Sequence, residues 1–168
     1  MAQFQISIYN LYQSGGYTYF RVNFDWEWSS CPFIASNTDI LGFGWTENMY
    51  LQTGLSTSYQ YVTYKDNYTG YTREVNSSIV SVNSTTNAKS TFTTMTVLSS
   101  QPLQYEWACN GYGSILLRKA GTVPECEMMI KYGKSTSGVS PSVSIPWGVS
   151  FSFTSGVATM DECPVYEP

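Results

Sequence analysis

The sequence predicts an all-β fold: an antiparallel β-sandwich or jelly roll of about seven to ten strands, in a single domain over residues 1–168. Three observations predict this fold class. Apolar residues recur with a period of two, Phe, Trp and Tyr make up 16% of the chain, and turn signals rich in glycine or proline separate the apolar runs. A barrel of the same strands is the alternative.

The clearest strand covers residues 18–28, where apolar and polar residues alternate without a break. Its apolar face carries Phe20, Val22, Phe24, Trp26 and Trp28. Successive side chains of a strand point to opposite faces of the sheet, so we expect this face to lie in the core. An earlier strand is predicted where Phe4, Ile6 and Ile8 alternate with polar residues, and the turn signal at residues 14–16 joins the two.

The rest of the chain divides into shorter runs. Further strands are predicted over residues 40–45, 58–64, 91–98, 113–119 and 125–132, with turns at 66–70 and 121–124. The Ser- and Thr-rich segment 76–100 permits a hairpin. A last alternating stretch covers residues 139–154, and Pro146 is expected to divide it because proline cannot donate to a central ladder.

The chain has no histidine and four cysteines. The lack of histidine excludes Ser-His-Asp and Cys-His catalysis and the commonest zinc ligand sets. The cysteines, Cys31, Cys109, Cys126 and Cys163, show no metal-type spacing, so we expect two disulfides, with buried free thiols as the alternative. If residues 113–119 and 125–132 form a hairpin, Cys109 with Cys126 becomes the least favoured of the three pairings, because a disulfide needs Cα atoms within about 7 Å. The favoured pairs are then Cys31 with Cys109 and Cys126 with Cys163.

Charge and hydropathy restrict the partners and the compartment. A net charge of −4 and only eight scattered basic residues exclude a nucleic-acid binder. No apolar run is long enough for a membrane-spanning helix, and stable membrane insertion is not expected. The first residues do not resemble a signal peptide. The low charge, the polar composition and the even number of cysteines nevertheless favour a secreted, extracellular protein.

Two blocks of the chain carry distinctive aromatic and glycine motifs. Residues 20–45 contain DWEWSSCPF and GFGW, and residues 112–162 contain GYGSILLRK, KYG, VSPSVSIPWGVSFSF and MDE. These blocks resemble a group of small secreted, β-rich proteins of Gram-positive bacteria, mostly uncharacterised. The resemblance covers a little under half of the chain and implies export and a β-rich fold. It implies no reaction, no cofactor and no cysteine pairing.

The best candidate for a binding site is a tyrosine-rich segment at residues 58–74. Tyrosine offers a large amphipathic contact area with few rotatable bonds, and small polar residues beside it supply adaptable hydrogen bonds, as in antibody paratopes. An ordinary strand with one tyrosine face is the competing interpretation. The candidate binding residues are Tyr59, Tyr61, Tyr64, Tyr68, Tyr71 and Arg73, with Tyr17 and Tyr19 from a second aromatic loop.

Acidic residues give weaker candidates. Asp25 and Glu27 point the same way from one strand, about 6–7 Å apart by strand rise, which lies between the carboxylate separations of the two glycosidase classes. Glu106 is the next candidate. Adjacent acids on one strand are more typical of a solvated face, and the acidic residues of 66–74 fall short of calcium-loop spacing.

Three functions from different classes follow. The leading hypothesis is a secreted, non-enzymatic module that binds a host or environmental protein, possibly immunoglobulin in a superantigen-like manner. Glycan binding, with or without glycoside hydrolysis, is the first alternative. A membrane-lytic protein is the second, because the Ser- and Thr-rich alternating segments 76–100 and 139–154 resemble pore-lining hairpins. None of the three requires a cofactor or a metal ion.

Overall fold

The computed structural model describes residues 2–31, 38–136, 138–144 and 148–168. Twelve of its strands form two antiparallel sheets packed face to face, which confirms the predicted all-β sandwich, and two short strands form a separate small sheet. In chain order the strands of these residues are β1 (Ala2–Ser14), β2 (Tyr17–Trp28), β3 (Thr38–Trp45), β4 (Tyr50–Leu51), β5 (Tyr59–Asp66), β6 (Thr72–Ser78), β7 (Val80–Asn83), β8 (Asn87–Thr93), β9 (Met95–Ser100), β10 (Leu103–Ala120), β11 (Cys126–Ser135), β12 (Val143–Ser144), β13 (Ser152–Phe153) and β14 (Val157–Glu167). There are more strands than expected because several have only two to four residues.

One sheet has seven strands and is organised around the long strand β10. Its order is β1-β2-β10-β5-β6, with β4 and β9 also paired to β10. The other sheet has the order β14-β11-β3-β8-β7. Hydrogen bonds between the two sheets close the sandwich along both sides. Between β1 and β14, Phe4 N donates to Asp161 Oδ2 at 3.0 Å, and between β6 and β8, Ser77 Oγ donates to the Thr91 carbonyl at 2.7 Å.

The core between the sheets is largely aromatic. The apolar face predicted for β2 points into it, and its five residues are 0–8% exposed. Phe24 meets Phe43 of the opposite sheet at 5.4 Å between ring centroids, and Trp26 meets Tyr132 at 5.0 Å. Trp147, on the apolar face predicted for the stretch 139–154, lies outside the described residues.

Two glycines on the inner face of β10 make room for these rings. A Cβ at Gly111 would lie 2.4 Å from Trp26 Nε1, and one at Gly113 would lie 2.8 Å from Phe24 Cζ. The Trp26 indole N–H donates to Gln60 Oε1 at 2.7 Å, and Gln60 Nε2 donates to Ser90 Oγ of the opposite sheet at 3.0 Å. This buried hydrogen-bond chain fixes β2, β5 and β8 relative to one another.

The stretch 139–154 is not the long strand that its alternation predicts. It contributes to a strap, residues 138–144 and 148–156, in which two short strands flank a 3-10 turn. Phe151 and Phe153 of the strap pack with Ile40 on the outer face of the five-stranded sheet. Gly42 leaves the space for this packing, because a Cβ there would lie 2.7 Å from Phe151 Cε2. The predicted division at Pro146 lies outside the described residues.

Two other predicted arrangements were wrong. Residues 113–119 and 125–132 do not pair, because β10 bonds to β2 and β5 in one sheet while β11 bonds to β3 and β14 in the other. The predicted strand 91–98 is divided between β8 and β9, which also belong to different sheets. Within the Ser- and Thr-rich segment, β7 and β8 do form a hairpin.

The predicted disulfides are absent, since none of the four cysteines forms a disulfide in this structure. Cys126 lies opposite Glu167 and Cys163 opposite Ile130 on the paired strands β11 and β14, so four register positions separate them. That offset is about 14 Å along the strand, whereas a disulfide needs Cα atoms within about 7 Å. The Cys31 thiol contacts the Tyr105 side chain, whereas the Cys109 thiol donates to the Thr63 carbonyl at 3.4 Å.

Candidate functional site

The best candidate site lies on the outer face of the seven-stranded sheet. Alternation along β5 turns Tyr59 and Tyr61 outward while their neighbours Gln60 and Val62 enter the core. Tyr112 of β10 lies directly opposite Tyr61. We call these three tyrosines the tyrosine face.

The rings of the tyrosine face touch one another. Tyr61 and Tyr112 stack with their centroids 5.7 Å apart and 25° between their planes, and Tyr59 meets Tyr61 edge-on at 5.8 Å. Tyr112 remains 40% exposed. Its hydroxyl donates to Glu74 Oε2 at 2.9 Å, which fixes the ring and raises the pKa of the phenol. The surface is therefore aromatic, partly exposed and held in position.

A polar groove of about 620 Å³ adjoins the tyrosine face. The strand register brings outward side chains into two rows across it. One row contains Tyr112, Asp25 and Gln5, and the other contains Asn110, Glu27 and Gln3. Asp161 approaches from the edge of the other sheet. The described residues that line the groove thus supply amides and carboxylates but no lysine or arginine.

The carboxylates of the groove interact with one another. Partial burial, and then the negative charge of Glu27, raises the pKa of Asp25 above its usual range. Asp161 Oδ2 accepts a hydrogen bond from Phe4 N. Asp25 and Glu27 project from the same strand two positions apart. Such a groove can hydrogen-bond hydroxyl and amide groups and disfavours anionic ligands.

The second aromatic loop forms a separate cluster near the β1–β2 turn. Tyr12 stacks on Tyr19 at 5.3 Å, Tyr17 lies 6.4 Å from Tyr19, and the Arg118 guanidinium sits 4.5 Å from the centroid of the Tyr17 ring. The cluster lies on the same sheet as the tyrosine face. Along β2, Asn23 lies between Tyr19 of this cluster and Asp25 of the groove, opposite Ser114 on β10, so the cluster and the groove are separate.

The remaining predicted residues lie elsewhere. Tyr64 points into the core, is 6% exposed and donates to the Thr93 carbonyl at 2.7 Å, and burial raises its pKa to about 12. Arg73 forms an ion pair with Glu106 and lies 5.4 Å from the centroid of the Tyr64 ring. Tyr68 and Tyr71, which are 67% and 79% exposed, occupy the turn between β5 and β6. The predicted tyrosine segment is therefore divided among an outer face, the core and a turn.

Sequence reasoning missed Tyr112 and the groove residue Asn110. A signal for Tyr112 is present in the run GYG, because the two glycines share the face that lets other groups approach the strand closely, and alternation then turns the tyrosine to the opposite face. Its position beside Tyr61 depends on the pairing of β5 with β10, and no local pattern reveals that pairing.

Comparison with known proteins gives no relative from which to infer a function. No protein-family profile matches the chain, and neither a curated protein nor a solved structure matches it. Within the described residues, no helix is long and apolar enough to cross a membrane. No group of three or more His, Cys, Asp or Glu side chains in that part of the chain could hold a metal ion.

Proposed function

We propose that the chain is a secreted, non-enzymatic binding module that recognises a partner protein with the outer face of its seven-stranded sheet. The observation that carries this proposal is the tyrosine face, in which the rings of Tyr59, Tyr61 and Tyr112 touch one another on a rigid sheet. Tyrosine is enriched in the centres of protein interfaces, where it supplies apolar area and a hydroxyl together.

The support of the tyrosine face favours tight recognition. Tyr61 and Tyr112 belong to strands whose inner faces are closed by Gln60 and Gly111 against Trp26. Side chains held in this way lose little conformational entropy when a ligand binds. Across four strands spaced about 4.8 Å apart, the row from Tyr61 to Gln5 spans about 14 Å, enough for four or five residues of an extended peptide.

Glycan binding is the second candidate, and the polar groove favours it. Asp25, Glu27 and Asn110 provide the carboxylate and amide groups that bind sugar hydroxyls, and Tyr112 stands beside them as an aromatic surface. Both candidates use one surface, so a single experiment with two treatments separates them.

The test is an affinity capture with the purified chain from serum and mucosal secretions, before and after enzymatic deglycosylation. Immunoglobulin is the first partner to measure, by direct titration. Tyr112→Ala should weaken the binding of a protein partner at least about 30-fold, the loss typical of an interface hot spot. Tyr166→Ala is the matched control, because Tyr166 is 49% exposed and its hydroxyl also donates to a glutamate at 2.9 Å, but it lies on the five-stranded sheet.

The outcomes separate the proposals. A partner that is retained after deglycosylation, bound equally by Tyr166→Ala and lost with Tyr112→Ala, supports protein recognition by the tyrosine face. Loss of capture on deglycosylation, with sensitivity to Asp25→Asn, makes the chain a glycan-binding module instead. A partner whose affinity is unchanged by Tyr112→Ala and Tyr61→Ala refutes this surface as the binding site.

A further inference from the structure

A lysine and an aspartate lie side by side in the core at one end of the sandwich. Lys134 of β11 and Asp39 of β3 are directly opposite each other in the sheet, and their side chains are 10% and 1% exposed. Their Nζ and Oδ2 atoms are 3.7 Å apart. This distance is too long for a good hydrogen bond, although the two groups are side by side.

The pair is poorly satisfied as an ion pair. Within the described residues, Lys134 Nζ makes no hydrogen bond, and neither does Asp39 Oδ1. The Nζ lies 5.5 Å from the centroid of the Trp28 ring, and the Tyr132 hydroxyl donates to Asp39 Oδ2. Two buried charges whose hydrogen-bonding capacity is largely unused destabilise a fold unless something else compensates.

We propose that Lys134 and Asp39 condense to form an isopeptide bond between β11 and β3. The neutral amine of Lys134 adds through Nζ to Cγ of the protonated Asp39 carboxyl. Oδ1 carries the carboxyl proton, takes a second proton from the attacking nitrogen and leaves as water. The product is a secondary amide with one N–H on Nζ and a carbonyl at Oδ2. No oxidant, metal ion or second substrate takes part.

The surroundings favour the carboxyl side of this reaction. Burial raises the pKa of Asp39 against the opposing effects of Tyr132, Lys134 and the Ser135 backbone N–H, and so promotes the protonated carboxyl that the reaction needs. Tyr132 is fully buried, and burial keeps the pKa of its phenol well above the usual value, so it remains a donor to Oδ2. A fixed donor at Oδ2 stabilises the negative charge that develops there during addition.

The wider environment holds the Tyr132 donor in place. Trp28 Nε1 donates to the Tyr132 hydroxyl at 3.1 Å, which orients that group. Tyr64 and Cys31 are the other titratable groups near the pair: the charge of Asp39 contributes to the raised pKa of Tyr64, and the charge of Lys134 partly opposes the rise in the pKa of Cys31. The amide would replace two buried charges with a neutral link and would covalently join β11 to the central strand β3 of the five-stranded sheet.

The test is the intact mass of the natively folded, fully reduced protein, measured under denaturing conditions. Loss of one water lowers the mass by about 18 Da relative to the sequence. Lys134→Arg should restore the full mass, because the guanidinium does not act as a nucleophile at neutral pH. Lys131→Arg is the matched control: Lys131 lies on the same strand with Glu162 at 3.9 Å, but that carboxylate is 56% exposed. This variant should keep the full mass loss.

Peptide mapping locates the bond. Proteolysis should yield one branched peptide that contains residues 39 and 134, with no cleavage after Lys134. Tyr132→Phe should slow the reaction and leave a measurable unreacted fraction. Full mass in the natively folded wild-type protein overturns the proposal. A mass loss that persists in Lys134→Arg overturns it equally, because it would come from dehydration elsewhere in the chain.

Discussion

Replacement of Gln60 by methionine tests how the tyrosine face is supported from inside the core. Gln60 is completely buried on β5, where its amide accepts from the Trp26 indole N–H and donates to Ser90. Methionine has a similar volume and flexible shape, so Gln60→Met removes the hydrogen bonds without leaving a large cavity. The substitution therefore measures the contribution of the hydrogen bonds to stability separately from that of packing.

The magnitude follows from what each partner loses. Ser90 keeps its hydrogen bonds to Ser77, at 3.1 Å to the carbonyl and 2.7 Å between hydroxyls, so it remains satisfied. Trp26 is 1% exposed and loses the one acceptor of its indole N–H. An orphaned buried donor costs about 1–3 kcal/mol, so we expect a loss of about 2 kcal/mol and a decrease of roughly 4–8 °C in the melting temperature.

The assay is urea unfolding followed by tryptophan fluorescence, with thermal melting as a second measurement. Gln13→Met is the control, because Gln13 is exposed on β1 and should change stability by less than about 0.5 kcal/mol. An unchanged urea midpoint for Gln60→Met, with an unchanged slope, would refute the argument that this hydrogen-bond chain stabilises the core.

Three further predictions concern other parts of the molecule. Gly44→Ala should lower the free energy of unfolding by roughly 1–3 kcal/mol, because a Cβ there would lie 2.0 Å from the Gly148 carbonyl oxygen. Thermal melting measures this loss, and an unchanged melting temperature would show that the strap is not held against β3. Arg73 lowers the pKa of Glu106 from its ordinary 4.5, so the ion pair stabilises the fold above that pH and this contribution is lost as the pH falls through the lowered value. Acid unfolding of Glu106→Gln should therefore show a weaker pH dependence below pH 4.5 than wild type, and identical curves would contradict the assignment. Burial raises the pKa of Cys126 to about 12, so iodoacetamide should alkylate it last in the folded protein, whereas all four thiols should react without reductant once the chain is unfolded.

The elements that the sequence predicts well are those whose signal is local. Period-two alternation over residues 18–28 is sufficient to place β2 and its buried face, because each side chain's direction depends only on its position in the strand. The turn at residues 14–16 is equally local, with Gly15 and Gly16 both at positive φ. The same reasoning fails at 139–154. Alternation is present there, but the segment is not one long strand, and its described apolar side chains pack on the outer face of the five-stranded sheet.

Pairing between strands is not local, and the incorrect predictions share this property. Adjacent strands in sequence commonly form a hairpin, so 113–119 and 125–132 were natural partners. In the structure, the inner face of β10 has Gly111 and Gly113 to receive rings from β2, whereas β11 supplies Met128 and Ile130 to the opposite wall of the core. The two strands contribute complementary surfaces to one core, and complementary surfaces must face each other across it.

In the candidate site, too, the direction of each side chain follows from local alternation, whereas the neighbours of each residue depend on strand pairing. Val62 is apolar, so parity along β5 places Gln60 and Tyr64 inward and Tyr59 and Tyr61 outward. Composition alone groups all the tyrosines together, because tyrosine suits both a buried and an exposed position. What removes Tyr64 from the surface is the apolar neighbour two positions before it, and what adds Tyr112 is a strand pairing across more than forty residues of sequence. A contact surface built from neighbouring strands therefore becomes visible only when the register is known, even when every residue in it follows a simple alternation.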